Sequence, residues 1–229
     1  MRAGDPNVRL IEETVEKLGD IAETFVVIGG SATGLLITDT ARAPVRASVD
    51  VDVITEAISK VQYNRLGERL RNAGFREDRE VVCRWLGGHL ILDVMPANPD
   101  VLGFSNRWYP LAVTNYDVAT LPSGRTIRLV TPALFIATKL EAYLGRGSGD
   151  FLRSRDIEDI ITVFDGRPEL VGEIQSSRND VRDYIAGEID DLLADAAFVD
   201  NISGQLPPDA RNQGRLEELV KRLRAVAEI

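Results

Sequence analysis

Two aspartates separated by one valine, Asp50-Val51-Asp52, lie in a stretch where apolar and acidic residues alternate. If residues 49–54 form a strand, both carboxylates project to one side, and Val49, Val51 and Val53 face the other way into a core. Carboxylates spaced at roughly 7 Å along one strand face repel each other unless a cation lies between them. Magnesium favours such oxygens together with substrate phosphates. The alternative is an ordinary charged pair on a half-exposed strand. A third acid, Asp93, stands inside the apolar run Leu90-Ile91-Leu92-Asp93-Val94-Met95. A buried carboxylate is costly without a cation or donor, so Asp93 needs either a metal ion or one of the chain's many arginines. Upstream, Phe25-Val26-Val27-Ile28 runs directly into Gly29-Gly30-Ser31. Glycines let a backbone approach a phosphate, a helix N-terminus offers free N–H groups and a positive dipole, and the Ser31 hydroxyl adds a hydrogen bond.

The elements that would position these groups read as an α+β chain. Asp5 caps a helix that Pro6 opens, and Val8, Ile11, Val15 and Leu18 recur at helical spacing. A strand at 25–28 precedes the glycines, and a helix at 32–37 follows them. A loop over 41–45 leads to the strand at 49–54. Residues 58–72 read as an amphipathic helix stopped near Gly74. Segments 84–86 and 90–95 read as a hairpin turning at Gly87-Gly88, and 117–121 with 126–130 as another around Pro122-Ser123-Gly124. Beyond Thr131-Pro132 the pattern is helical, with helices expected at 132–144, 154–164, 168–175, 179–196 and 208–228. We expect a mixed β-sheet with flanking helices in a domain over 1–130, and a helical C-terminal domain over 131–229. Gly145-Arg146-Gly147-Ser148-Gly149 reads as a flexible joint.

Composition excludes several classes. The chain has 229 residues, 44% of them hydrophobic, and a net charge of −9. Residues 1–149 carry 17 basic against 18 acidic side chains, and residues 150–229 carry 10 against 18. Such an acidic protein is a poor duplex-DNA binder, since that binding relies on Lys and Arg neutralising phosphates. Met1–Asp5 lacks an apolar signal core, and no apolar run approaches the roughly 20 residues of a membrane span. The cytoplasm is therefore the expected compartment, with no membrane partner. Cys83 is the single cysteine and His89 the single histidine, so no intramolecular disulfide can form, a zinc site lacks ligands, and no motif supports a nucleophile–histidine triad. No Gly-x-x-x-x-Gly-Lys-Ser/Thr phosphate loop is present. Trp85, Trp108 and Tyr109 read as core or pocket wall.

The order strand, Gly-Gly-Ser, helix, strand with Asp-x-Asp, later strand with one Asp resembles the nucleotidyltransferase superfamily that includes polymerase beta and the CCA-adding enzymes. The motif falls on Gly29, Gly30, Ser31, Asp50, Asp52 and Asp93. Val27–Ala32 taken with Arg46-Ala47-Ser48-Val49-Asp50-Val51-Asp52 is more similar still to the bacterial AbiEii-like branch of toxins and abortive-infection proteins, which also contains the MenT-like toxins. That branch adds a helical lysine and a later acid, here Lys139 in Ala137-Thr138-Lys139-Leu140-Glu141-Ala142 and Asp156 in Arg155-Asp156-Ile157-Glu158-Asp159. The resemblance spans about residues 20–165. It implies a magnesium-dependent enzyme, with manganese as a substitute, that uses a nucleoside triphosphate. Asp50, Asp52 and Asp93 would be metal ligands, and Gly29, Gly30, Ser31, Arg46, Ser48 and Lys139 nucleotide contacts, with Lys139 and Asp156 joining the acids in catalysis. The acceptor would be RNA (a tRNA 3′ end) or a protein, with a cognate antitoxin as partner. A small-molecule acceptor, as in antibiotic-modifying enzymes, or a non-catalytic binding role are the alternatives. From the residues alone, Lys139 either meets a phosphate or reaches out to water, Asp156 can serve simply as a helix-start acid, and Arg46 can pair with Asp50 or Asp52. An arginine cluster at the acids (Arg65, Arg69, Arg71, Arg76, Arg79, Arg84) would favour RNA. A deep acidic pocket in the helical part would favour a cationic small molecule. The long gap from Ser31 to Asp50 implies a mobile loop over 38–47.

Overall fold

The computed structural model describes residues 5–57, 59–146 and 150–229. Two compact units emerge: a sheet unit of residues 5–35 and 46–131, and a helical unit of residues 36–45 and 132–229.

In the sheet unit, α1 (Pro6–Leu18) starts where the Asp5 carboxylate accepts a hydrogen bond from the Asn7 N–H at 2.9 Å. Its buried face comprises Val8, Ile11, Val15 and Leu18. Then follow β1 (Phe25–Ile28), α2 (Gly29–Leu36), β2 (Val51–Thr55), α3 (Lys60–Asn72), β3 (Arg76–Glu77), β4 (Arg84–Gly87) and β5 (Leu90–Pro96). Two short helices, α4 (Pro99–Leu102) and α5 (Tyr109–Ala112), lead to the hairpin of β6 (Tyr116–Thr120) and β7 (Thr126–Val130). The strands form one sheet in the order β3-β4-β5-β2-β1-β7-β6. The β1–β7 and β2–β5 pairs are parallel and the others antiparallel, so the sheet is mixed. α1 packs on β2 and β5. The central strands β1, β2 and β5 are nearly all buried, as expected of strands with apolar runs. Edge strand β6 is largely exposed.

Two sequence expectations shift here. The second strand begins at Val51 rather than residue 49, and Val49 is 65% exposed instead of joining the core. Asp50 therefore precedes the strand, and strand alternation does not govern its direction. The helix after β1 starts at Gly29 itself, so Gly-Gly-Ser is the first turn of α2 and not a separate turn before it. The start expected for the third helix, Ile58, lies outside the described residues, and Ser59 caps α3 by accepting from the Gln62 N–H.

The helical unit contains α6 (Pro132–Gly145), α7 (Arg155–Gly166), α8 (Leu170–Gln175), α9 (Asn179–Ala194), α10 (Ala196–Asn201), α11 (Ala210–Gln213) and α12 (Leu216–Ala227). α6 and α12 each pack against α7, α8 and α9. The buried stripes have helical period: Val181, Ile185, Ile189 and Leu192 on α9, and Leu219, Leu223 and Val226 on α12. The single helix expected over 179–196 breaks at Asp195, whose side chain caps α10 by accepting from Ala197 N–H at 2.8 Å. Of the expected joint, Gly145 closes α6, while residues 147–149 lie outside the described residues. No helix among the described residues is long and apolar enough to cross a membrane.

Residues 36–45 are tied into this unit and do not form the mobile loop expected over 38–47. The N–H groups of Thr38 and Asp39 donate to the Gly166 carbonyl at 3.1 and 2.9 Å. Arg42, 4% exposed, meets Asp165 at 3.0 Å and Thr162 Oγ1 at 2.9 Å. Arg215 joins Asp165 to Asp39 at 2.6 and 2.7 Å. A buried pair is destabilising to break because the partner's charge is left uncompensated, which explains why a polar segment without regular structure stays in place.

Candidate functional site

β1 ends and α2 begins at Gly29, and the strand register carries Asp52 to this point, since Ile28 is the Cα partner of Asp52 across the β1–β2 pair. Gly29 has φ +71, a left-handed conformation that side chains disfavour. A Cβ built on it would fall 1.9 Å from Asp52 Oδ2 and 2.5 Å from Asp52 Cγ. The Asp52 carboxylate thus lies directly against the Gly29 backbone at the N-terminus of α2, where unpaired N–H groups favour negative charge. Ser31, in the same first turn, is fully buried, and its hydroxyl has no hydrogen-bond partner among the described residues. Leaving a buried hydroxyl unpaired costs about 1–3 kcal/mol, a penalty that an added acceptor such as a phosphate oxygen would remove.

Across the other edge of β2, Asp52 is the Cα partner of Asp93 on β5. Parallel neighbours in register share a face, so these two carboxylates are adjacent. Asp93, 8% exposed, is held by Arg84: Nε donates to Oδ1 and Nη2 to Oδ2, both at 2.8 Å. The Nη2 group also reaches Asp50 Oδ2 at 3.2 Å. The register explains this fork, since Arg84 is the Cα partner of Asp93 in the β4–β5 hairpin. The hydrogen bond to Asp93 raises the Arg84 pKa, working against desolvation.

Asp50 gains a second contact from the Ser48 hydroxyl, which donates to Oδ1 at 3.0 Å. Ser48 is in turn fixed by Asn7 of α1. Its N–H donates to Asn7 Oδ1 at 2.7 Å, and Asn7 Nδ2 donates to the Arg46 carbonyl at 3.1 Å. Asn7 is 1% exposed and acts as a clip on the approach to Asp50. The sequence signal for it was present but unread: a polar residue beside Val8 on the buried side of an amphipathic helix.

The sheet unit therefore brings together Gly29, Gly30, Ser31, Ser48, Asp50, Asp52 and Asp93, with the Arg46 backbone beside them. The donor chemistry fits magnesium: carboxylate oxygens, with the Asp50 side chain 22% exposed. Among the described residues no three acids converge as a ready-made cage. Of the six arginines named above, Arg84 reaches the acids in the described contacts, while Arg71 pairs with Glu77 at 2.8 Å.

Lys139 and Asp156 belong to the helical unit and are placed there as a buried ion pair. The Lys139 ammonium lies 3.1 Å from Asp156 Oδ1 and 2.7 Å from Asp159 Oδ2. Arg146 also binds Asp156. Both acids are at most 3% exposed. The anion that a lysine in an apolar stripe needs is thus supplied within its own unit. Asp159, the second aspartate of the Arg155–Asp159 segment, lies about one helical turn from Asp156 on α7.

Two single-copy residues are accounted for. His89 is exposed and contacts Glu13 at 2.7 Å. Burial pushes the Cys83 thiol up to about 11, with Asp93 adding to the effect. A nucleophilic thiolate is therefore scarce near neutral pH. Native protein at pH 8 is expected to resist iodoacetamide and to yield one reactive thiol on unfolding. Alkylation of the folded protein at the unfolded rate would contradict this.

No protein-family model and no curated protein sequence matches the chain. Solved structures do match in fold. An antigenic nucleotidyltransferase-like protein from Paracoccidioides brasiliensis aligns with a TM-score of 0.53 at 18% identity, over 89% of this chain and 94% of that one. A nucleotidyltransferase described as putative from H. pylori aligns with 0.48 at 14% identity, over 100% and 96%. The antibiotic-resistance factor ANT(2'')-Ia aligns with 0.49 at 16% identity, over 82% and 93%. The fold of this chain is thus similar to that of nucleotidyltransferase-like proteins.

Proposed function

We propose that the sheet unit is the catalytic unit of a magnesium-dependent nucleotidyltransferase that moves a nucleoside monophosphate from a nucleoside triphosphate to an acceptor. The observation that carries this reading is the close approach of the Asp52 carboxylate to the Gly29 backbone, with Asp93 in register beside it. In this reading the Gly29 and Gly30 amides, Ser31, Arg46 and Ser48 hold phosphates. Asp50 and Asp52 bind the metal. Asp93 binds a second ion or takes the proton from the acceptor hydroxyl. The acceptor oxygen forms its bond to the α-phosphorus as pyrophosphate departs. Magnesium, or manganese in its place, supplies positive charge to the attacking and leaving oxygens. Lys139 and Asp156 enter this reading as the buried ion pair of the helical unit.

The acceptor proposed first is RNA or a protein, in the manner of the AbiEii-like branch, with a cognate antitoxin as partner. A second reading, a cationic small molecule, is favoured by one observation. The helical unit has a pocket with apolar walls from Leu140, Tyr143 and Phe151 and with the acids Glu188, Asp191 and Asp195. Incubation with each labelled nucleoside triphosphate plus total RNA, lysate protein or an aminoglycoside separates the acceptors by where the label ends up.

Calorimetry with a nonhydrolysable triphosphate tests the site itself. Binding is expected with magnesium and little or none in chelator. Asp52→Asn should weaken the magnesium-dependent binding by about a hundredfold, at the upper end of the 10–100-fold that even outer-shell partners of a metal can cost, while thermal melts show a folded protein. Equal affinity with and without the ion would remove the metal role from Asp50 and Asp52.

A further inference from the structure

The Arg84 guanidinium occupies both oxygens of Asp93 and reaches across to Asp50. It therefore stands where positive charge is most needed if no metal is bound. The placement is built into the backbone, because Arg84 and Asp93 are register partners in a hairpin closed by a two-residue turn.

Resting on the metal-site reading above, we propose that Arg84 is a built-in counter-cation that competes with the divalent ion for Asp93 and Asp50 and so makes ion binding depend on the nucleotide. Each carboxylate oxygen has limited acceptor capacity, and a two-point guanidinium contact is among the strongest claims on it. A divalent ion arriving alone must share these oxygens with Arg84 and approach against its positive charge. An ion arriving with a triphosphate brings most of its own ligands, and its phosphates offer the displaced guanidinium another anion. Arg84 thus holds Asp93 oriented in the resting protein and disfavours loading with metal alone. It is a positioning residue.

The test is titration with manganese followed by electron paramagnetic resonance, with and without a nonhydrolysable triphosphate. The proteins are the parent, Arg84→Gln, Arg84→Lys, Asp52→Asn and the double variant Arg84→Gln/Asp52→Asn, each checked for folding by thermal melt. Without nucleotide, Arg84→Gln should bind manganese about tenfold more tightly than the parent, the low end of what charge-assisted hydrogen bonds contribute. With nucleotide the difference should shrink. Arg84→Lys, which keeps the charge but cannot make the two-point contact, should show a smaller gain, and it carries the test if the glutamine variant does not fold. A residue with a purely structural role would lower the melting temperature without tightening manganese binding. Equal or weaker binding in the folded Arg84 variants, with Asp52→Asn still removing the ion from the parent, would overturn the proposal and leave the metal site standing. Manganese binding insensitive to Asp52→Asn in every background would overturn both.

Discussion

Lys139→Met is expected to destabilise the protein by about 3–5 kcal/mol, the range for breaking a buried ion pair by removing one partner. The methionine keeps most of the apolar stem. What is lost is the charge that compensates Asp156 and Asp159, which are 3% and 1% exposed. Arg146 still binds Asp156, so part of the compensation at that acid remains. Urea unfolding of the parent, Lys139→Met and Lys139→Met/Asp159→Asn measures this. The double variant should recover part of the loss, because an uncharged amide is cheaper to bury than an unpaired carboxylate. A single variant as stable as the parent would show that the ammonium contributes nothing to the fold.

Gly29→Ala is expected to lose stability through its backbone and, separately, about a hundredfold in magnesium-triphosphate affinity through the Asp52 carboxylate. The φ of +71 costs a residue with a Cβ about 1–2 kcal/mol. The new methyl would also fall 1.9 Å from Asp52 Oδ2, so the carboxylate must swing away from the α2 N-terminus. Displacement by an ångström at a reacting centre can cost about a hundredfold, and a loss of that order in magnesium-triphosphate affinity is expected. Gly124→Ala is the control: its φ is +83, and nothing lies within 4 Å of its added Cβ. It should lose comparable stability and keep its binding. If Gly29→Ala binds as tightly as the parent, the contact between Gly29 and Asp52 has no part in the site.

Much of the candidate site follows from local chemistry written in the sequence. The buried strand before Gly29, the Asp-x-Asp, the lone acid at position 93 and the helical rear are all visible as residue types at fixed spacings. Periodicity and caps report on neighbours a few residues apart. Asp5 and Pro6 mark a helix start that the structure contains. What needed the tertiary structure was which side chain answers which. A hairpin turning at Gly87-Gly88 would set Arg84 opposite Ile91. The actual turn, Gly88-His89, sets it opposite Asp93. Moving the turn by one residue shifts the cross-strand partner by two, and this decides whether Asp93 has Arg84 as counter-ion. The backbone reason lies in two adjacent glycines of different purpose. Gly88 takes φ +77 in the turn, whereas a Cβ on Gly87 would come within 2.6 Å of the Phe75 ring, so Gly87 remains a tightly packed strand residue. Distant pairings follow the same logic. Asn7 clips Ser48 from 41 residues away, and Arg42 meets Asp165 in the helical unit. Such contacts leave no periodic trace, because each is one long-range choice among many arginines and acids of equal local merit, and only the packed chain selects the partner.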